Sequence, residues 1–134
     1  MKKLGINNSM HALATLGLAL LFTSVAVAQT LPLRHGVYVL ESSKCDDAPD
    51  AAISVWDGVG FSGAHSSGCT SNITHLADGT YRVSTKCTAL GDGTPDQAGA
   101  NFEEMMTLKH VSSTKFTATK ATGAEMPYRW CSAK

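Results

Sequence analysis

The sequence of residues 69–87 reads CTSNITHLADGTYRVSTKC. From Thr80 onwards apolar and polar side chains alternate, which is the period of a β-strand with one buried face and one solvent-exposed face. Asp78 and Gly79 stand between this run and the preceding one, and both residue types are typical of tight hairpin turns. The stretch therefore predicts an antiparallel β-hairpin.

Two registers of this hairpin are compatible with the sequence. A three-residue loop at 77–79, made of a type I turn and a bulge at the glycine, would pair Cys69 with Cys87. A two-residue loop at 78–79 would instead place Cys69 opposite Thr88. A slip of one residue exchanges the two faces of a strand, so the register decides which side chains are buried.

Similar short runs of β-branched and aromatic residues, separated by Gly, Asp, Ser and Pro, recur along the chain. No window shows a sustained helical period. The fold is predicted to be all-β: a small antiparallel meander of seven or eight strands closed into a barrel or folded into a sandwich, with two disulfides. The candidate strands are 36–41, 52–57, 60–64 (weak), 69–76, 80–88, 102–111, 114–121 and 127–131.

The beginning of the chain has the pattern of a secretory signal peptide. Lys2 and Lys3 precede an apolar run at 13–27, and Ala26-Val27-Ala28 is a small-residue cleavage site. We therefore predict a cleaved signal peptide at 1–28 and a single exported β-domain at 29–134. The apolar run is too short for a membrane-spanning helix, so no span is expected in the mature chain, and the predicted location is periplasmic or extracellular.

The charge of the chain argues against a polyanionic partner. Among its 134 residues, 11 are Lys or Arg and 11 are Asp or Glu. Because binding to nucleic acid relies on a positive field, we expect no nucleic-acid partner.

The four cysteines are Cys45, Cys69, Cys87 and Cys131, and an even number in a small exported domain predicts two disulfides. There is no C-x-x-C motif, so neither a zinc site nor any other metal or cofactor is predicted. We favour sequential pairing, Cys45 with Cys69 and Cys87 with Cys131, because directly opposed cross-strand disulfides are uncommon. The alternative joins Cys69 to Cys87 and Cys45 to Cys131.

Two polar loops are the candidate binding sites. One carries Ser62, His65 and Ser66, and the other carries three acidic residues, Asp46, Asp47 and Asp50. The serines lie near a histidine and downstream of Asp57, but the spacing is not that of a G-x-S-x-G nucleophile elbow. The acidic loop lacks the pattern of a calcium loop. We therefore predict no catalytic residue and no enzyme, and assign both loops to protein binding.

A second group of residues could line an interior. His75, His110 and Met106 combine imidazole and thioether groups, which are suitable ligands for soft metals. Glu104 falls on the same strand face as Met106, where a carboxylate needs a partner. The segment 90–101 is the longest stretch without strand character, and long loops are often functional.

At the level of pattern, the chain resembles a set of uncharacterised small exported four-cysteine β-domain proteins of Gram-negative bacteria. No activity is attached to that set, so the resemblance implies only the fold and the compartment. Ser62-Gly63-Ala64 is also similar to a fragment of the inhibitory loop of periplasmic inhibitors of c-type lysozymes, although the tyrosine expected after it is absent. The motifs that carry the first resemblance are Gly36-x-Tyr38, Cys45-Asp46-x-Ala48-Pro49-Asp50-Ala51-Ala52, Trp56-Asp57-Gly58-x-Gly60-Phe61 and Tyr128-Arg129-Trp130-Cys131.

Three functions are compatible with these features. The first is a non-enzymatic periplasmic or secreted interaction module, an inhibitor or immunity-type partner of a cell-envelope hydrolase, which predicts a filled core and a protruding loop. The second is a small-ligand or metal-binding barrel, which predicts a cavity open to solvent. The third is a structural envelope protein. The oligomeric state does not follow from the sequence.

Overall fold

A computed structural model describes residues 30–95 and 102–134 and contains eight strands. The predicted signal peptide and residues 96–101 of the predicted long loop lie outside the described residues. No α-helix occurs in the described ranges, and a single 3₁₀ turn, Asp50–Ala52, precedes the second strand. The all-β prediction is confirmed. The strands are β1 Gly36–Leu40, β2 Ile53–Trp56, β3 Phe61–Ser62, β4 Ser66–Ala77, β5 Thr80–Leu90, β6 Phe102–Ser112, β7 Lys115–Lys120 and β8 Glu125–Ser132.

The strands form a meander that is nearly closed into a barrel. All the pairs are antiparallel, in the order β3-β2-β1-β8-β7-β6-β5-β4. At the remaining seam, Ser71 of β4 donates its N–H to the carbonyl of Val59 (2.9 Å), and its Oγ accepts from the N–H of Phe61 (3.1 Å). A Cβ on Gly60 would lie 2.2 Å from the carbonyl oxygen of Cys69, so this close approach requires glycine.

The β4–β5 hairpin combines features of both predicted registers. Asp78 and Gly79 have positive φ angles of 49° and 72°, which is typical of a two-residue type I′ turn. Cys69 nevertheless pairs with Cys87, as in the register of the three-residue loop. A bulge between residues 75 and 77 accounts for the difference, because it adds one residue to β4.

The disulfides join Cys69 to Cys87 and Cys45 to Cys131, so the sequential pairing that we favoured is wrong. Cys69 and Cys87 lie opposite each other on adjacent strands with their Cα atoms 4.0 Å apart, close to the spacing of a non-hydrogen-bonded antiparallel pair. This proximity determines the first bridge. It leaves Cys45, in the β1–β2 loop, to pair with Cys131 of β8.

One end of the barrel is closed by the segment that precedes β1. Leu31 and Leu33 are buried in the core, and the N–H of Arg34 donates to the carbonyl of Ser113 in the β6–β7 turn (2.7 Å). The Tyr38 hydroxyl donates to the carbonyl groups of the same two residues, Arg34 and Ser113. The rest of the core follows from the alternation of the strands and consists of Tyr38, Trp56, Phe61, Val83, Leu108, Phe116, Ala118 and Tyr128.

Candidate functional site

Towards the opposite end, the interior of the barrel is not filled by side chains. A cavity of about 540 Å³ lies there, within the range of sites that hold small molecules. Its walls come from the ends of β2, β3 and β5 to β8 and from the β3–β4 turn. The barrel is therefore closed at the end near Leu31 and Leu33. It is open to solvent at the opposite end, where the β3–β4 turn and the 3₁₀ turn before β2 lie.

The floor of the cavity is aromatic. Phe61, Phe116 and Tyr128 are buried and line it, and the rings of Phe116 and Tyr128 are stacked with centroids 5.0 Å apart. Met106 and Met126 add two flexible thioether side chains to the wall. An apolar molecule placed here would exchange water for aromatic and thioether contacts.

Hydroxyl groups are the main uncharged polar groups of the wall. Ser54, Ser62, Ser66 and Thr85 all line the cavity. Thr85 is buried, and its Oγ1 is hydrogen-bonded to Ser71 Oγ at 2.7 Å. Such groups can orient a ligand without requiring it to carry a charge.

The cavity wall also contains an ion pair. Lys120 Nζ lies 2.7 Å from Glu104 Oε1, so the partner that the sequence required for Glu104 is present. The hydrogen bond to Glu104 is the main reason that the pKa of Lys120 lies above its usual value, although burial partly opposes it. Burial raises the pKa of Tyr128, which therefore presents a neutral phenol to the cavity.

Sequence reasoning did not identify Lys120 as a site residue. The signal was present, because Phe116 and Ala118 point inward and Lys120 continues the same alternation on β7. A lysine at the end of a strand is normally assigned to solvent, and only the pairing of β7 with β6 shows that it meets Glu104.

The predicted serine and histidine loop forms part of the cavity mouth. Ser62, His65 and Ser66 line the cavity, together with Asp50 from the 3₁₀ turn. His65 Nε2 lies 3.1 Å from Asp50 Oδ2, with the two side chains 84% and 62% exposed. The structure thus brings together residues from both loops that the sequence singled out.

This turn is packed against the barrel. Ser66 Oγ accepts a hydrogen bond from the N–H of Gly63 at 2.9 Å, which closes the turn on itself. A Cβ on Gly91 would lie only 2.3 Å from the carbonyl oxygen of Ala64, so the turn also lies directly against the end of β5. The loop is therefore part of the rim of the cavity.

The other predicted binding residues lie elsewhere. Asp46 and Asp47 are exposed in the β1–β2 loop directly after Cys45 and do not line the cavity. Of the three acidic residues predicted to bind a partner protein, Asp50 is the one that lines the cavity. The reason is that the disulfide ties the start of this loop to β8, whereas Asp50 belongs to the turn that enters β2.

The interior group that would have held a metal is not gathered at the cavity. Met106 lines the cavity, but His75 and His110 do not. His75 contacts Tyr81 near the β4–β5 turn, and His110 donates its backbone N–H to the carbonyl of Gly79. In residues 30–95 and 102–134, no three His, Cys, Asp or Glu side chains are grouped as metal ligands.

Asp57 is not oriented towards the histidine of the loop. Its Oδ1 accepts hydrogen bonds from the N–H groups of Val59 and Gly60, each at 2.8 Å. Partial burial raises the pKa of Asp57, but these two amides, together with the Asp57 backbone N–H and the charge of Lys134, outweigh that effect and hold the pKa below its usual value. Its structural role is to close the β2–β3 turn, while His65 pairs with Asp50.

Comparisons with protein-family models, with curated proteins and with solved structures find no match to this chain. The part of the chain that the structure describes contains no helix long and apolar enough to cross a membrane. Two disulfides are typical of proteins that fold in an oxidising, exported environment.

Proposed function

We propose that this protein binds a small, predominantly apolar molecule inside the open end of its barrel. The observation that carries the proposal is the cavity of about 540 Å³ with an aromatic and thioether wall. Eight-stranded barrels are wide enough to hold one small ligand when their interior is not filled by side chains. The closed end and the open mouth define one direction of entry.

Two observations favour ligand binding over the interaction module, which was expected to be an inhibitor or immunity-type partner of a cell-envelope hydrolase. That alternative expects a filled core, whereas the barrel is hollow towards its mouth. It also expects a protruding loop, whereas the turn with Ser62, His65 and Ser66 is packed against the end of β5. For the catalytic alternative, Asp50 and His65 are paired close to Ser66, but the Oγ of Ser66 is hydrogen-bonded to the N–H of Gly63. In the part of the chain that the structure describes, no serine hydroxyl is hydrogen-bonded to His65, which is the contact that a nucleophile and its base would make.

We infer that binding takes place outside the cytoplasm. The leader pattern at 1–28 and the two disulfides both support export to the periplasm or the medium. A hydrophobic molecule in either compartment needs a protein to keep it dispersed in water, and a cup with an apolar interior is suited to that task.

The size of the cavity sets the expected affinity. A drug-sized molecule of about 25 non-hydrogen atoms, at about 0.3 kcal/mol per atom, would gain about 7.5 kcal/mol on binding. This corresponds to a Kd of a few micromolar.

Titration with Nile red tests the proposal. This neutral dye is weakly fluorescent in water and strongly fluorescent in apolar surroundings, and its size suits the cavity. We expect a saturable rise in fluorescence at a ratio of about one dye per chain, with a Kd in the micromolar range, for the oxidised protein. The urea-unfolded protein is the control. If the folded protein produces no saturable signal with Nile red or with other neutral apolar probes, the proposal is wrong. The interaction module would then be the favoured function.

A further inference from the structure

The ionisable side chains that line the cavity lie in two pairs. In the described ranges these are Glu104 with Lys120 and Asp50 with His65, at 2.7 and 3.1 Å, and the second is an ion pair only when His65 is protonated. Asp50 and His65 lie at the mouth and are largely exposed, so water screens them. Glu104 and Lys120 are 34% and 47% exposed, which makes them the pair that a ligand inside the barrel would meet.

We propose that the ligand is an electrically neutral amphipathic molecule, such as a long-chain alcohol or ester, and that the Glu104–Lys120 ion pair excludes ligands that carry a net charge. This inference rests on the proposed function of the cavity. It concerns the chemical class of the ligand, and it makes the ion pair the element that sets specificity.

The physical reason is the cost of desolvating a charged group without a partner. A ligand carboxylate that approached Lys120 would compete with Glu104 and be repelled by it. A ligand ammonium group would be repelled by Lys120 in the same way. In either case the charged group of the ligand loses its hydration and finds no opposite charge that is free to pair with it. Entry of a charged ligand is therefore unfavourable.

A neutral polar group does not meet this obstacle. Ser54, Ser62 and Thr85 also line the cavity, and their hydroxyl groups can exchange hydrogen bonds with a hydroxyl or a carbonyl. The floor formed by Phe116 and Tyr128 then accommodates the apolar part of the molecule. The arrangement of the wall therefore matches a molecule with an apolar body and an uncharged polar end.

The position of the pair makes it suited to this role. Glu104 and Met106 are on the same face of β6, and Lys120 pairs with Met106 across the ladder, so the charges lie beside the apolar wall of the cavity. Because Glu104 accepts a hydrogen bond from Lys120, the pKa of Lys120 is raised and the amine stays protonated at neutral pH. The two charges consequently compensate each other under the conditions in which a ligand would bind.

Three molecules with the same apolar chain test the inference. Decanol, decanoate and decylammonium differ in charge at neutral pH. Each is used to displace Nile red from the oxidised protein, decanol below its solubility limit and the two ions below their critical micelle concentrations. We expect decanol to bind about fivefold more tightly, or better, than either ion.

Single variants of the pair should change this preference in opposite directions. Lys120→Met leaves Glu104 unpaired and should tighten decylammonium binding about five- to tenfold. Glu104→Gln leaves Lys120 unpaired and should tighten decanoate binding by a similar factor. The double variant E104Q/K120M removes both charges and should tighten the binding of each ion less than the corresponding single variant does, which separates the effect of an unpaired charge from any effect on folding.

A second ion pair provides the matched control. Lys115 Nζ and Glu41 Oε1 are 3.0 Å apart and do not line the cavity. Lys115→Met and Glu41→Gln should therefore leave the order of the three affinities unchanged, and each variant is checked for its fold by circular dichroism. If the affinities depended only on the overall surface charge, they would change in these control variants as much as in the cavity variants.

The outcomes distinguish the inference from the proposed function. If decanoate or decylammonium binds the unmodified protein more tightly than decanol, the ligand class is wrong although the cavity still binds ligands. The same conclusion follows if the single variants leave the order of affinities unchanged. If none of the three molecules displaces Nile red and the dye itself does not bind, the proposed function is wrong and the inference is overturned with it.

Discussion

Replacing Ala118 with tryptophan should weaken the binding of Nile red, with an increase in Kd of about hundredfold. The Ala118 side chain is 1% exposed and forms part of the cavity wall, between Leu108 and Met126 in the β6–β7–β8 ladder. An indole at this position would occupy space that the dye needs. A dye that loses contact with about 100 Å² of apolar wall loses about 2.5 kcal/mol, which is close to a hundredfold change.

The matched control is Thr119→Trp. Thr119 is the next residue on β7 and points to the other face of the strand, so its indole would lie outside the barrel. We expect its Kd for Nile red to stay within about twofold of the unmodified protein. The overpacked Ala118→Trp variant should lose about 1–3 kcal/mol of unfolding free energy. Ala89→Trp, which narrows the half-buried wall near the mouth, therefore gives an independent test. Unchanged binding in folded A118W and A89W would place the dye outside the cavity.

Removing the Cys45–Cys131 bridge should have the largest effect on stability. The bridge closes a loop of 86 residues, for which the chain-entropy relation gives a stabilisation of about 4.5 kcal/mol. Small domains are stabilised by only about 5–15 kcal/mol in total. We therefore expect the double variant C45S/C131S to lose about 4–5 kcal/mol of unfolding free energy in urea titrations.

Local contacts would hold part of the loop after the bridge is lost. Arg129 donates from Nη2 to the carbonyl of Ser43 at 2.7 Å, and the N–H of Glu41 donates to the carbonyl of Pro127 at 2.9 Å. These bonds retain the path of the loop in the folded state, so the loss should come mainly from a less restricted unfolded state. The urea m-value should accordingly increase, because the unfolded chain exposes more surface.

The second bridge is the control for loop length. Cys69 and Cys87 are separated by 18 residues, and the same relation gives about 3 kcal/mol for the double variant C69S/C87S. The two strands also remain joined by their ladder. An equal or greater loss in this variant than in C45S/C131S would show that loop entropy does not govern the stability of the domain.

The strands were predictable because each is determined by local alternation. In β5, Tyr81, Val83 and Cys87 share one face, and burial of that face decides both the period and the register. All eight candidate strands are found in the structure, with boundaries that differ by a few residues. The two-residue turn was harder to identify, since a bulge in β4 compensates for it and leaves no signature in the pattern of burial.

The disulfide pairing and the cavity depend on contacts between distant parts of the chain. Cys45 reaches Cys131 only because β1 pairs with β8, which closes the barrel, and alternation in single strands says nothing about closure. The cavity follows from the sum of side-chain volumes around the barrel. Small inward residues such as Ser54 and Ala118 leave space that the neighbouring methionines do not fill. No single residue in the sequence therefore predicts the cavity.

The central claim is that a ligand binds inside the barrel, and the methionine methyl groups report on it most directly. Met105 and Met106 are neighbours on β6, but Met105 is 57% exposed whereas Met106 and Met126 line the cavity. With carbon-13 label in the methionine methyl groups, titration with decanol should shift the NMR signals of Met106 and Met126 and leave that of Met105 in place. A saturable shift of Met105 alone, or saturable binding that moves neither cavity methionine, would contradict the account.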